Sequence, residues 1–268
     1  MPVGIVTGSG AHALPGFVCS EVVTVQTEHG AAEVSRGLLG GAQALHVSRH
    51  GPGHARLSNH VAHRANIRAL QRLGASAVLA ATVCGAVDPT LELGSLVVFD
   101  DLHFPSNRLP DGSLCTFFTE PGDPERAHWV LHGGPFSPGA RAALLAGAAG
   151  SGRPVRDGGV YGHVDGPRFN TPSEIAALAA CGVVAVSQTA GPEAVLCGEL
   201  GLPYGLVGFI TDHANGVAPA QPTPVSTLSR LIAESGGVLA GVLALAAARV
   251  AGESPAPTGT VLRMGVGE

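Results

Sequence analysis

Several segments of the chain combine residue types that could do chemistry together. Near the start, GIVTGSGAHALPG carries an apolar run into a Gly-Ser-Gly turn. Glycines there let backbone N–H groups approach an anion, and Ser9 adds a hydroxyl donor. Pro15 interrupts the helix that a dinucleotide-binding fingerprint needs, so an ordinary strand-ending turn is the alternative. The run SRHGPGH at residues 48–54 sets Arg49, a planar cationic fork, beside His50 in a turn, which is suitable equipment for gripping a phosphate. His46, His54, His60 and His63 lie close by without a carboxylate or cysteine among them, which fits surface or substrate-lining histidines better than metal ligands.

Further along, ATVCGAV at residues 81–87 reads as a buried strand that ends in Thr82 and then Gly85, where ligands of open parallel sheets bind. Cys84 is either a nucleophile or a small buried hydrophobe. In YGHVDGPRFNTPSE, residues 161–174, two turn signals flank Phe169 and lead into a helix capped near Thr171 or Ser173. With only 8 Phe in the chain, one between two turns is a candidate for stacking on an aromatic ligand, with core filling as the alternative. Finally, residues 187–216 hold a strand ending at Thr189, a Gly191-Pro192 helix start, and a second strand ending in Thr211-Asp212-His213. An Asp at the end of a buried strand stands where a general acid belongs, and burial would raise its pKa; a structural cap is the other reading.

These residues need a scaffold, and the apolar pattern supplies one. VGIVT at the start, VVTV from Val22, AVLAATV from Ala77, SLVVF from Ser95, VVAVS from Val183 and YGLVGFIT from Tyr204 read as strands buried on both faces. Helical patterns lie between them: Ile67, Leu70 and Leu73 recur at helical spacing, residues 137–149 are alanine-rich, 173–181 and 192–200 each follow a turn signal, and a last helix covers 225–250. The alternation predicts a single-domain α/β fold, a mostly parallel mixed sheet covered by helices, over residues 1–252. Residues 102–135 read as a long irregular excursion and 253–268 as a loose tail.

Composition narrows the function classes. The 268 residues are enough for one large domain, and 45% hydrophobic against 13% charged residues is the balance of a folded chain. Fifteen Arg, no Lys and a net charge of -5 leave no polybasic surface for nucleic acid or an anionic membrane. Five cysteines, none at a C-x-x-C spacing, predict neither a disulfide framework nor structural zinc and suit a reducing cytoplasm. The N-terminus lacks the pattern of a signal peptide, and the apolar stretch 238–248 falls short of the roughly 20 residues a bilayer requires.

In this order the segments resemble the trimeric purine nucleoside phosphorylase superfamily, most closely its methylthioadenosine phosphorylase branch, over residues 3–240. SRHGPGH with HRANIRALQRLGASAVLAATVCGAV is similar to that family's R-H-G loop, Y-R-A-N-I helix start and T-A-C-G strand. VDGPRFNTPSE is similar to E-G-P-R-F-S-T-P-A-E, and GPEAVLCGELGLPY with ITD to V-P-E-A-V-L-A-x-E and its T-D. The resemblance implies a nucleoside phosphorylase fold and phosphorolysis, in which orthophosphate and a purine nucleoside exchange to give free base and a ribose 1-phosphate. It implies a homotrimer and no metal or redox cofactor, phosphate being a co-substrate.

Carried over residue by residue, it places Ser9, Arg49, His50, Thr82, the backbone of Val83 and Thr189 on phosphate. Cys84, Gly85 and Phe169 would meet the base, Gln188 the ribose hydroxyls, and Asp212 the purine N7. Three positions depart from the pattern. Ala214 replaces a second Asp, Gln188 replaces a common Met, and Thr227 with Arg230 fall where the methylthio branch lines its 5′ pocket with apolar residues. The expected substrate is a 5′-deoxy- or 5′-methylthioadenosine-like nucleoside, with a polar or anionic 5′ group accommodated. The alternatives are a 6-oxopurine nucleoside phosphorylase, a catalytically silent nucleoside-binding relative and, remotely, a nucleotide-cofactor oxidoreductase.

Overall fold

The computed structural model of the chain describes residues 1–9, 13–120, 126–217 and 222–263. Gly10 to His12 of the Gly-Ser-Gly segment and the end of the expected tail lie outside the described residues. Thirteen strands and five α-helices occur among those described. In chain order they are β1 (Val3–Thr7), β2 (Val18–Thr27), β3 (Gly30–Leu39), β4 (Ala42–Ser48), α1 (His63–Arg72), β5 (Val78–Ala86), β6 (Leu96–Val98), β7 (Asp101–His103) and β8 (Ala127–Val130). Then follow α2 (Pro138–Ala149), β9 (Val155–Asp157), β10 (Val160–His163), α3 (Pro172–Ala180), β11 (Val183–Ser187), α4 (Ala190–Glu199), β12 (Tyr204–His213), α5 (Val225–Glu253) and β13 (Thr260–Arg263).

Eleven strands form one sheet in the order β2-β3-β4-β1-β5-β11-β10-β7, with β12 branching off β5 toward β6 and β9. The central strands β1 and β12 both run parallel to β5, over Gly4↔Val78 and Tyr204↔Val78, while β11 pairs antiparallel with β5 and β6 with β12; β1, β5 and β12 are apolar because helices cover both faces. One core layer joins α1 and α4 to the sheet through Ile67, Leu70, Leu196 and Leu206. The other joins α2 and α5 through Leu144, Leu239, Leu243 and Phe209.

Two expectations change in detail. The apolar run through Thr82 does not stop there; β5 continues to Ala86 because Gly85 and Ala86 pair with β11 and Asp212 and His213 with the same stretch from β12. Residues 253–263 are also docked rather than loose. There β13 pairs antiparallel with β8, Trp129 Nε1 donates to the Thr258 carbonyl at 2.9 Å, and Ser137 Oγ donates to the Ala256 carbonyl at 2.7 Å. Helix α5 has the length and composition to cross a membrane. Its face of Leu231, Leu239, Val242, Leu243, Ala246 and Val250 instead forms part of the core.

Candidate active site

The carboxyl ends of β5, β11 and β12 converge on a cavity of about 260 Å³. Ser9, His50, Thr82, Val83, Cys84, Gly85, Phe169, Gln188, Thr189 and Asp212 all line it, so residues spread over 204 positions of sequence meet in one place. Arg49 and Thr227 do not.

One end is built for an anion. Thr189 is the N-cap of α4, buried at 4% exposure, and its side chain makes no cap bond with the helix. The Thr189 hydroxyl is thereby left at the positive end of a helix dipole, while the N–H of Ala190, the first of α4, donates to Tyr161 Oη at 3.2 Å. Thr82 Oγ1 is tied to Ser187 Oγ at 2.9 Å, which steadies the neighbouring wall. His50 Nδ1 lies 2.8 Å from the Arg56 carbonyl, which can only accept, so Nδ1 carries the proton and Nε2 a lone pair. Burial, with Arg49 beside it, lowers the His50 pKa to about 4. The ring is therefore neutral near pH 7, and Nε2 can accept a hydrogen bond from the P–OH of a monohydrogen phosphate.

Arg49 stands beneath this end and not in its wall. Its side chain is fully buried, Nε and Nη2 donate to Glu193 Oε1 and Oε2 at 2.7 and 2.8 Å, and Nη1 donates to the Ala81 carbonyl at 2.8 Å. Tyr204 Oη adds a third donor to Glu193 Oε2 at 3.0 Å. Burial opposes the charge on Arg49, and the Glu193 carboxylate more than offsets it, so its pKa is raised. Nη1 lies against the backbone of Gly8, where a Cβ would meet it at 2.5 Å, and the guanidinium charge is neutralised by Glu193.

Asp212 forms the other end. Register between β5 and β12 shifts between Ile210 and Asp212, and this irregularity aims the carboxyl into the cavity. Thr211 Oγ1 donates to Asp212 Oδ1 at 2.8 Å. Oδ2 faces Gly85, where a Cβ would come within 3.1 Å of it, so a glycine keeps that oxygen reachable. Burial is the main cause of a raised Asp212 pKa, partly opposed by the Thr211 hydrogen bond and by His213. Burial also pushes the Cys84 thiol pKa up, which makes it a wall and not a nucleophile.

Phe169 remains 61% exposed while lining the cavity, so it is not a core residue and its ring face is accessible to a planar ligand. The Arg168 fork on Glu174, at 2.6 and 2.9 Å, and the Thr171–Glu174 capping box fix its loop. The 5′ wall differs from the sequence expectation. Leu228 and Ile232, one helical turn apart on α5, face the cavity; Thr227 is turned aside, and Arg230 pairs outward with Glu234 at 3.0 Å. A one-residue shift in alignment rotates the face by about 100°, so the lining here is apolar and not anion-binding. Leu57, Ser58, Asn170 and Asn215 also line the cavity, and no sequence period marked them because they sit in turns and loops.

A cleft at strand ends with a helix N-terminus at one end, a buried acid at the other and an exposed phenylalanine at its mouth suits a ligand that joins an anion to a planar ring. Comparison with known proteins agrees: the phosphorylase superfamily matches residues 2–244, and the chain belongs to it. It is a pentosyltransferase of the purine nucleoside phosphorylase type. A 6-oxopurine nucleoside phosphorylase of Pyrococcus furiosus is 32% identical over 82% of this chain and 83% of its own. A probable S-methyl-5′-thioinosine phosphorylase of Xanthomonas campestris is 34% identical over 88% of this chain and 93% of its own. The structure of a methylthioadenosine phosphorylase from Schistosoma mansoni in complex with adenine superposes with a TM-score of 0.82 at 26% identity, covering 94% of this chain and 93% of that one.

Proposed function

We propose that the protein phosphorolyses purine nucleosides whose 5′ carbon bears a small apolar group, such as 5′-methylthio or 5′-deoxy. The observation that carries this reading is the placement of the apolar Leu228 and Ile232 beside Asp212 in the cavity that Thr189 and His50 close at its anion end. Phosphate bound at that end stands under the sugar and stabilises an oxocarbenium-like transition state. Asp212, whose pKa burial raises, donates in its acid form from Oδ2 to N7 so that the purine departs neutral. Phe169 stacks on the base. No metal or redox cofactor is needed for these steps. The working form is a cytoplasmic homotrimer, a neighbouring subunit covering the exposed Leu57 and Phe169 at the cavity mouth.

We take the base to be adenine-type, because Asp212 can both donate to N7 and accept from a 6-amino group. A second reading, a 6-oxopurine substrate, draws support from Ala214, which supplies no further acceptor in the cavity, and from the Pyrococcus and Xanthomonas relatives. Turnover of 5′-methylthioadenosine, 5′-methylthioinosine, adenosine and inosine separates the two. The 5′-methylthio member of each pair should exceed its 5′-hydroxyl partner in kcat/KM by about tenfold, roughly the worth of burying a thiomethyl group. A preference for the 5′-hydroxyl compounds would overturn the apolar 5′ site. A tenfold advantage of the inosine members would transfer the base assignment to 6-oxopurines.

A further inference from the structure

Outside the catalytic cavity, one chain of contacts runs from the segment after α5 to the helix that carries Thr189. Trp129, the single tryptophan of the chain, lies on β8 and does not line the cavity. Its ring rests on the backbone of α4 at Gly198, where a Cβ would run into Cε2, Cζ2 and Cη2. Its Nε1 donates to the Thr258 carbonyl at 2.9 Å, and Gly259 passes so near that a Cβ there would meet Nε1 at 2.8 Å. Val261 pairs with Trp129 across the two strands, and Ser137 Oγ donates to the Ala256 carbonyl. The indole is thus clamped between residues 256–261 and a glycine notch of α4.

What the clamp holds is α4. Most of this helix is buried, from Ala190 to Gly198, so it moves as a rod and not residue by residue. Gly198 and Thr189 lie at opposite ends of it, about 13 Å apart along the axis. Other groups grip the same helix through hydrogen bonds: Phe117 N donates to Glu199 Oε2 at 2.7 Å, and Glu193 holds Arg49 and Tyr204. A hydrogen bond tolerates a small slide of the helix. A ring against bare backbone does not, because close contacts become repulsive over a few tenths of an ångström. An anion site feels such slides, since a displacement of about 1 Å far from the chemistry can cost on the order of 10² in rate.

We propose that Trp129, pressed into the Gly198 notch by residues 256–261, is a positioning residue that seats α4 and so sets Thr189 for phosphate. The inference rests on the phosphorolysis reading, in which phosphate binds at the Thr189 end of the cavity. It makes phosphate use, and not nucleoside use, the property that depends on the segment after α5. Asp212 and Phe169, which meet the base, stand on β12 and on the loop before α3, not on α4. Coupling of this kind is reciprocal: if a seated indole favours phosphate, bound phosphate favours the seated indole. A single tryptophan outside the cavity therefore reports phosphate through its own emission.

The test is steady-state kinetics of the full chain, phosphate and nucleoside each varied while the other saturates, together with Trp129 emission titrated with orthophosphate alone. Trp129→Ala should raise the phosphate KM about tenfold and leave the nucleoside KM within about twofold of wild type. Trp129→Phe, which keeps an aromatic ring and loses the Nε1 donor, should raise it less. Gly198→Ala should act like Trp129→Ala, although alanine is the better helix former, because the added methyl pushes the ring out. Wild-type emission should shift saturably with orthophosphate against a potassium chloride blank of equal ionic strength, and Gly198→Ala should weaken that response. Should Trp129→Ala not fold, Gly198→Ala and Trp129→Phe carry the kinetic comparison. A phosphate KM unmoved in these variants, a nucleoside KM rising in step with it, or a wild-type emission that ignores orthophosphate would overturn the inference while leaving phosphorolysis intact. Absence of phosphorolysis with every nucleoside would overturn both.

Discussion

Replacing Asp212 with alanine is expected to lower kcat by about 10² to 10⁴ while changing nucleoside KM little, because a proton delivered to N7 is worth most as the glycosidic bond breaks. The fold should tolerate the change: Thr211 Oγ1, which loses its carboxylate acceptor, retains the Cys84 carbonyl at 3.3 Å. The pH profile supplies the sign. Asp212 acts in its acid form, burial raises its pKa, and wild-type kcat therefore falls as pH climbs through that raised value. Asp212→Ala should lack this descending limb. An unchanged kcat, or the same limb in the variant, would show that another group delivers the proton.

The second large effect concerns stability. Glu193 is 2% exposed and accepts from Arg49 twice and from Tyr204 once. Glu193→Ala leaves a guanidinium buried without its counter-charge, and breaking such a pair costs ~3–5 kcal/mol. That is a large part of the ~5–15 kcal/mol typical of a folded chain. The urea midpoint should fall at constant m-value. Arg49→Ala should lose a similar amount, beyond the loss of phosphate use that its charge alone implies, whereas the double variant Arg49→Met with Glu193→Leu should be less destabilised than either single variant. Single variants within about 1 kcal/mol of wild type would mean that the pair is solvated and that Arg49 is free to touch phosphate directly.

How much of this was legible in the sequence depended on whether the signal was local. Continuous apolar runs such as VGIVT and VVAVS betray strands covered on both faces, and β1 and β11 lie where those runs do. The strand β2 begins at Val18, four residues before the apolar run, because an edge strand whose side chains are largely exposed has no need of an apolar sequence. Docking of residues 253–263 depends on Trp129 and β8, more than a hundred residues upstream, and nothing in the tail itself announces them.

The site divides in the same way. Glycines, turn prolines and a strand-end Asp made the segments around Ser9, Phe169 and Asp212 recognisable as candidates. The partner of Arg49 was not recognisable, since Glu193 is 144 positions away and reads only as an acidic residue in a helix's first turn. Nor could linear spacing choose between Thr227 with Arg230 and Leu228 with Ile232. Both pairs recur at helical intervals, and only the packing of α5 on the sheet decides which face meets the cavity.

Phosphorolysis means that bond cleavage transfers the sugar to phosphate and not to water. The most direct measurement incubates the purified protein with a purine nucleoside, with and without orthophosphate, and quantifies both free base and sugar product. Base release is expected only with phosphate present, with ribose 1-phosphate, or its 5′-modified form, formed in equal amount. Base release at the same rate without phosphate, accompanied by free sugar, would contradict it and make the enzyme a hydrolase.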